Sequence, residues 1–311
     1  KKKPRTVFEA MKLLYQTDDG IALSLLDGIG CALLGLLYSN LLKEAAITDY
    51  VSVEKDKDVR IVGAAVHQDT PEYTQGLFGA HDINDITEDM IRAIPKDVLK
   101  VIFGSPMCND FSKLRLLPDR ADYHGPKRKP GEDPRAGLDG KYGCTFRTLI
   151  KIIQWALKYH PKVLYFVENV EFMAMKADWK EVCDALGNPK IIDHEDYSTT
   201  KRRRSYWTNY EIPDDWHRGQ GPIDPDTCMN PGRKVERYPV RGRMSVHPIG
   251  ASWKGRVDAP TAASNKALKV RDERFDELQD LESEEAEGLH GMQRGCTAGD
   301  DITAMMRLKA I

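Results

Sequence analysis

The chain has 311 residues, 41% of them hydrophobic and 30% charged, with 46 Lys and Arg against 48 Asp and Glu. That apolar share is too high for a disordered chain and too low for a bundle of membrane helices, and no run of about 18 apolar residues is present to span a bilayer. The length suits one large α/β domain with room for a smaller companion, and the net charge of -2 gives, as an average, no sign of a nucleic-acid partner.

The first residues, Lys1-Lys2-Lys3-Pro4-Arg5, lead into no apolar segment, so they are not a secretory signal and read as part of a longer protein. Val7 to Tyr15 has apolar residues at helical spacing. Ile21 to Leu26 reads as a buried strand, Asp27-Gly28-Ile29-Gly30 as a turn, and Cys31 to Leu42 as a helix. Strand, Gly-rich turn and helix together open a doubly wound sheet. A second strand, Tyr50 to Val53, ends in Glu54, and His81-Asp82-Ile83 has the look of a third strand end. Lys100 to Phe103 is a strand running into Gly104-Ser105-Pro106-Met107-Cys108.

Residues 113 to 140 are charged and rich in Gly and Pro, the composition of a long mobile loop. Phe146 to Tyr159 is periodic at helical spacing until His160-Pro161 stops it. Val163 to Val167 is a buried strand ending in Glu168-Asn169-Val170, and Ser205-Tyr206-Trp207 is the next strand. Strands alternating with helices argue for a mostly parallel sheet with crossovers. From 211 to 250 there are six prolines and five glycines, so 211–258 is expected to be a small irregular subdomain. Residues 1–210 and 259–311 would form the main domain, with 276–311 helical.

The polar residues at these strand ends lie where open α/β sheets bind ligands. Gly28 and Gly30 permit close backbone approach, Glu54 suits ribose hydroxyls, and Asp82 suits an exocyclic amine. Leu33 stands where a dinucleotide fingerprint needs its third Gly, which favours an adenosyl cofactor without a pyrophosphate. Cys31, Cys108, Cys144, Cys183, Cys228 and Cys296 form no CxxC pair, and no His stands at zinc spacing from a pair, so neither a disulfide framework nor a metal is expected. Cys108, in a turn after a strand, is the thiol best placed to be exposed and activated. Glu168 ends an apolar strand, where a carboxylate is costly unless it is functional, paired or capping a helix. Lys201-Arg202-Arg203-Arg204 is either a solvated charge run or the start of a strand with alternate arginines on one face.

In order, these segments resemble the DNA (cytosine-5)-methyltransferases, most closely the eukaryotic de novo and plant domains-rearranged group. The resemblance is carried by Leu23 to Gly30, by Gly104 to Ser112 with its Cys108-Asn109 pair, and by Phe166 to Val170. It continues through Lys201 to Asn209, Thr261 to Asn265 and Leu289 to Met292. Met107 stands where the family has Pro before its nucleophile, the loop after Ser112 is longer than usual, and the family's last Gly-Asn segment would begin beyond Ile311.

The resemblance implies a Rossmann-like class I S-adenosylmethionine-dependent methyltransferase sheet with a small target-recognition subdomain. It implies a Cys108 thiolate adding to C6 of cytosine, Glu168 binding N3 and the exocyclic amine, and Arg202 and Arg204 holding the base carbonyl. The cofactor would be S-adenosyl-L-methionine, bound by Leu26, Asp27, Gly28, Ile29, Gly30, Glu54, Lys55, Asp82, Ile83 and Ser105, with no metal. The partner would be double-stranded DNA, with the target base flipped out of the stack at a cost of about a few kcal/mol and the 113–140 loop closing on it. A regulatory protein or a second copy is a further possible partner, no membrane is involved, and a eukaryotic family member would be nuclear.

Two other readings stand beside this one: the same chemistry on tRNA, against which Asn109-Asp110 speaks, and a non-catalytic DNA-binding scaffold, against which Cys108, Glu168 and Arg202 speak. Charge resolved along the chain supports a nucleic-acid partner. Residues 113–135 carry seven Lys and Arg against four acids, and 233–256 carry seven against one. Residues 271–287 carry two Arg against nine acids and are expected to be a helix facing away.

Overall fold

A computed structural model describes residues 19–112, 135–194, 200–214 and 224–235, with 257–258, 269–275, 277–280, 284–286 and a few single positions beyond. The helix expected over Val7 to Tyr15, most of the 113–140 loop, and the segments Thr261 to Asn265 and Leu289 to Met292 lie outside the described residues. In chain order the elements are β1 (Gly20–Leu25), α1 (Cys31–Tyr38), α2 (Leu41–Glu44), β2 (Ile47–Val53), α3 (Lys57–Val66) and β3 (Tyr73–Gln75). Next come α4 (Glu88–Ala93), β4 (Leu99–Gly104), α5 (Cys144–Tyr159), β5 (Leu164–Val170), α6 (Lys176–Leu186), β6 (Lys190–Asp193), β7 (Thr200–Lys201) and β8 (Arg203–Thr208). Short strands β9 (Arg233–Val235), β10 (Val257–Asp258), β11 (Lys269–Asp272) and β12 (Glu277–Asp280) follow. Among the described residues no helix is long and apolar enough to cross a membrane.

The residues group into two compact units, 1–55 with 70–191 and 204–213, and 56–69 with 192–203 and 214–311. A seven-stranded sheet in the order β3-β2-β1-β4-β5-β8-β6 dominates the first. The pairs β1/β2, β2/β3, β1/β4 and β4/β5 are parallel, and β8 runs antiparallel to β5. This is the Rossmann-like, mostly parallel α/β sheet expected from sequence. Its order reverses between β1 and β4, so the crevice at their carboxyl ends is the place for a ligand.

Burial explains the strands. Leu23, Leu25, Leu99, Ile102 and Val167 are fully enclosed, each contributing about 1.5–3 kcal/mol of apolar burial. Helix α5 turns Phe146, Leu149, Ile150, Ile152, Ile153 and Ala156 inward. His160 then stops it, its Nε2 lying 3.0 Å from the Ile91 carbonyl. An aromatic cluster fills the space: Phe172 lies 4.5 Å from Phe111, 5.1 Å from Trp179 and 5.9 Å from Trp207, centroid to centroid. At the far end of β8, Asn209 spans β5: its Oδ1 accepts the Tyr165 amide at 3.1 Å and its Nδ2 donates to the Val163 carbonyl at 2.9 Å.

Three local expectations are corrected. The single helix over Cys31 to Leu42 breaks at Asn40, which adopts a left-handed φ of 59° that Asn tolerates better than most residues. His81-Asp82-Ile83 is not a strand end. The third strand stops at Gln75, and the Asp82 side chain instead caps a 3-10 turn over Ile83–Asp85 by accepting the Asn84 amide. The segment from 276 is not helical throughout, because β12 pairs antiparallel with β11, which pairs with β9. Asp272 shapes the turn before β12, its Oδ1 accepting the Arg274 amide at 3.0 Å.

In the second unit part of the acidic run turns inward rather than away. Arg233, almost wholly buried, pairs with Glu285 at 3.0 Å and Glu282 at 2.5 Å, and Glu285 also accepts the Asn230 amide. Buried carboxylates persist only with such partners.

Candidate active site at the carboxyl edge of the sheet

Sheet register brings the expected residues of the first unit to one edge. Leu25 pairs with Gly104, Gly104 with Val167, and Glu168 with Tyr206. The residues that follow β1, β2 and β4, namely Leu26 to Gly30, Glu54, and Ser105 to Cys108, therefore emerge side by side, next to Glu168 near the end of β5. Asp82 lies in the loop after β3.

The β1 turn is a strained backbone. Leu26, Gly28 and Gly30 have φ values of 58°, 63° and 80°. For Leu26 that conformation costs about 1–2 kcal/mol, the kind of strain that collects at ligand sites. The amide of Gly28 donates to Glu54 Oε2 at 3.1 Å, tying the β1 and β2 loops together. Asp27 is held by two hydroxyls: Ser24 donates to its Oδ1, and so does Tyr50 at 2.7 Å. Burial first, and the Asp27 charge second, push the Tyr50 phenol well above its ordinary pKa, so it stays a donor.

Asp82 accepts Lys55 at 2.5 Å and both nitrogens of Asn84 at 3.0 Å. Burial pulls its carboxyl upward, but the Asn84 amide and the Lys55 ammonium outweigh it and leave the pKa below the ordinary value. Ile29 and Ile83 are each 1% exposed, their side chains turned into the interior, so what they can present to a ligand is backbone.

Glu168 sits between a hydroxyl donor and a cation, with Ser105 Oγ at 2.9 Å from its Oε2 and the Arg204 guanidinium paired with its Oε1 at 2.7 Å from Nε. Antiparallel register explains the second contact. Glu168 faces Tyr206 and Val170 faces Arg204, so Glu168 and Arg204 are diagonal neighbours on one face. Arg202 belongs to the second unit, where its carbonyl accepts the His194 amide at 3.2 Å. Cys108 is half-buried in a turn whose carbonyl accepts the amides of Phe111 and Ser112. Just before it, the Pro106 carbonyl accepts Asn169 Nδ2 at 2.8 Å.

Sequence reading named Ser105, Arg204 and Lys55, which hold Glu168 and Asp82, but not Ser24, Tyr50, Asn84 or Asn169. Ser24 and Tyr50 carried no signal of their own, whereas Asn169 lies within the Glu-Asn-Val segment and could have been read from it. Among the described residues no three His, Cys, Asp or Glu side chains gather as a metal would need.

No protein-family model and no curated protein matches this chain. Solved structures similar to it include a protein described as a DNA modification methyltransferase encoded within an E. coli prophage, at 11% identity and a TM-score of 0.48 over 94% of this chain and 98% of that one. A second is a precorrin-6y C5,15-methyltransferase from Geobacter metallireducens, at 11% identity and 0.33 over 64% and 83%. The METTL16 methyltransferase domain aligns at 12% identity and 0.34 over 66% of each chain. With all three scores under 0.5, the fold follows from the strand order above and not from these likenesses.

Proposed function

We propose that this chain is an S-adenosylmethionine-dependent methyltransferase and that it methylates carbon 5 of cytosine in DNA. The observation that carries the reading is the doubly held Glu168 carboxylate, gripped by Ser105 of the Cys108 loop and by Arg204 of the reversed strand. A carboxylate fixed so beside a half-exposed thiol turn is the pair that cytosine C5 chemistry needs.

The donor set fits an adenosyl cofactor. A Cβ built on Gly28 meets nothing within 4 Å, so there is room for a ligand against that backbone. A carboxylate offers about four acceptor positions. Three of those on Asp82 are taken by Lys55 and Asn84, which leaves one for an exocyclic amine. Glu54, at the end of β2, would take the ribose, and Asp27 would face the cationic amino-acid end. When bound, S-adenosylmethionine supplies a methyl group on an electrophilic sulfonium.

Carbon 5 of cytosine is too weak a nucleophile by itself. The Cys108 thiolate would add to C6, forming a C–S bond and raising electron density at C5. Glu168 would hold N3 and the exocyclic amine, stabilising the adduct more than the free base. Arg204 would keep Glu168 in place and bind the base carbonyl. After transfer to C5, loss of the C5 proton and expulsion of the thiolate restore the aromatic ring and the free enzyme.

The test is covalent trapping on duplex DNA containing 5-fluorocytosine in the presence of cofactor. Fluorine at C5 cannot leave as a proton, so wild type should form a stable adduct that Cys108→Ser abolishes. Absence of adduct, or transfer of labelled methyl groups to tRNA and not to DNA, would refute the reading.

A further inference from the structure

We propose that Asp110 is the positioning residue of the Cys108 turn, a role that rests on the reading of Cys108 as the nucleophile. Asp110 is 2% exposed, and its Oδ2 accepts two backbone amides, Tyr142 at 2.7 Å and Gly143 at 2.9 Å. Its own carbonyl accepts the Gly137 amide at 3.1 Å. Both ends of one residue are thus bound to a stretch 27 to 33 positions further on, at the start of α5.

The receiving stretch is built to this contact. A Cβ on Gly140 would stand 2.2 Å from Asp110 Oδ2, and a Cβ on Gly143 would stand 1.8 Å from the Gly137 carbonyl oxygen. Only glycine lets the backbone close around the carboxylate at these two places. A buried carboxylate is costly unless its acceptor positions are filled, and at Oδ2 two backbone amides fill them.

The effect falls on Cys108 because the turn is anchored on both sides of it. Asn169 holds the Pro106 carbonyl, two residues before the thiol, and Asp110 is fixed two residues after it. Between these points Met107 and Asn109 are exposed, and the Cys108 carbonyl closes the turn onto Phe111 and Ser112. A nucleophile must be held within about 0.5 Å of its productive position, and a displacement of about 1 Å can cost a hundredfold.

The test compares Asp110→Ala, Asp110→Asn and Gly140→Ala with wild type. Three readouts are used: the single-turnover rate of adduct formation on 5-fluorocytosine duplex, duplex affinity by fluorescence anisotropy, and the pH profile of Cys108 alkylation followed by peptide mass spectrometry without DNA or cofactor. Asp110→Ala and Gly140→Ala should slow adduct formation by about tenfold to a hundredfold with affinity unchanged. Asp110→Asn keeps one acceptor oxygen and should recover part of the rate. The alkylation profile should shift in the same order, which a loss of stability alone would not produce. If Asp110→Ala fails to fold, Gly140→Ala still carries the test, because it keeps the carboxylate and disturbs only its seat. Adduct rates within twofold of wild type in the folded variants, or an alkylation profile that stays fixed, would overturn the positioning role. A wild type that forms no adduct while its alkylation profile responds to the variants would refute the methyltransferase reading and keep the clamp.

Discussion

Replacing Arg204 by Met should destabilise the first unit by about 2 kcal/mol. Breaking a fully buried ion pair by removing one partner costs roughly 3–5 kcal/mol, because a charge is left in a poorly solvated place. A fully exposed pair is worth about 0–1 kcal/mol. The side chains of Arg204 and Glu168 are 16% and 17% exposed, and Ser105 still donates to Glu168 after the substitution. Both facts pull the loss below the buried range, to a value between it and the exposed one. Met keeps most of the aliphatic stem, so little packing is lost. Urea unfolding with linear extrapolation gives the free energy, and calorimetry should show a fall of roughly 4–8 °C. The double variant with Glu168→Gln should be less destabilised than the sum of the two single changes, by about 1–2 kcal/mol. A loss within about 0.5 kcal/mol for Arg204→Met, or strict additivity in the cycle, would refute the view that the two side chains hold each other.

Phe172 is fully buried among Phe111, Trp179 and Trp207, so Phe172→Ala should cost about 3–5 kcal/mol in the same urea assay. Tyr50→Phe removes one hydrogen bond to the Asp27 carboxylate while leaving Ser24, and should cost about 1.5 kcal/mol with a several-fold loss of S-adenosylmethionine affinity in calorimetric titration. Asp82 should titrate by NMR with a midpoint below the ordinary aspartate value of about 3.9. Because its folded pKa is the lower one, its contribution to stability is complete above the unfolded pKa and is lost as pH falls through the folded value. Lys55→Met should move that midpoint upward, and no movement would show that the ion pair leaves Asp82 unaffected.

Strands β1, β4 and β5 were legible because each is a continuous apolar run closed by a Gly, Pro or acidic residue, and α5 because its apolar residues recur at the helical period. Helix α6 was not, since only Val182, Cys183 and Leu186 of its residues are buried, Trp179 packs beside the core, and most of the others are charged. Strand β12 was hidden by its acidity, which reads as a solvated helix until Arg233 and the turn at Asp272 are seen. At the site, the strand-end rule located Glu54, Cys108 and Glu168 without knowledge of their partners. The Asp110 clamp could not be read in advance. Its partners are backbone amides, and a backbone amide leaves no signature in the residue type.

The Asn209 clip has a consequence for which arginine reaches Glu168. Three arginines stand in a row at Arg202, Arg203 and Arg204, so charge alone would accept more than one alignment of β8 against β5. A shift of one residue would bring Arg203 or Ser205 opposite Val170 and send the guanidinium to the other face of the sheet. The clip lies five residues from Arg204, at the opposite end of the strand, and makes no contact with the carboxylate it serves. It acts as an index mark: an uncharged side chain selects one member of a degenerate basic run. Asn209→Ala should therefore be felt first as ambiguity in alignment, with the electrostatics of the site altered while every charged residue is still in the sequence.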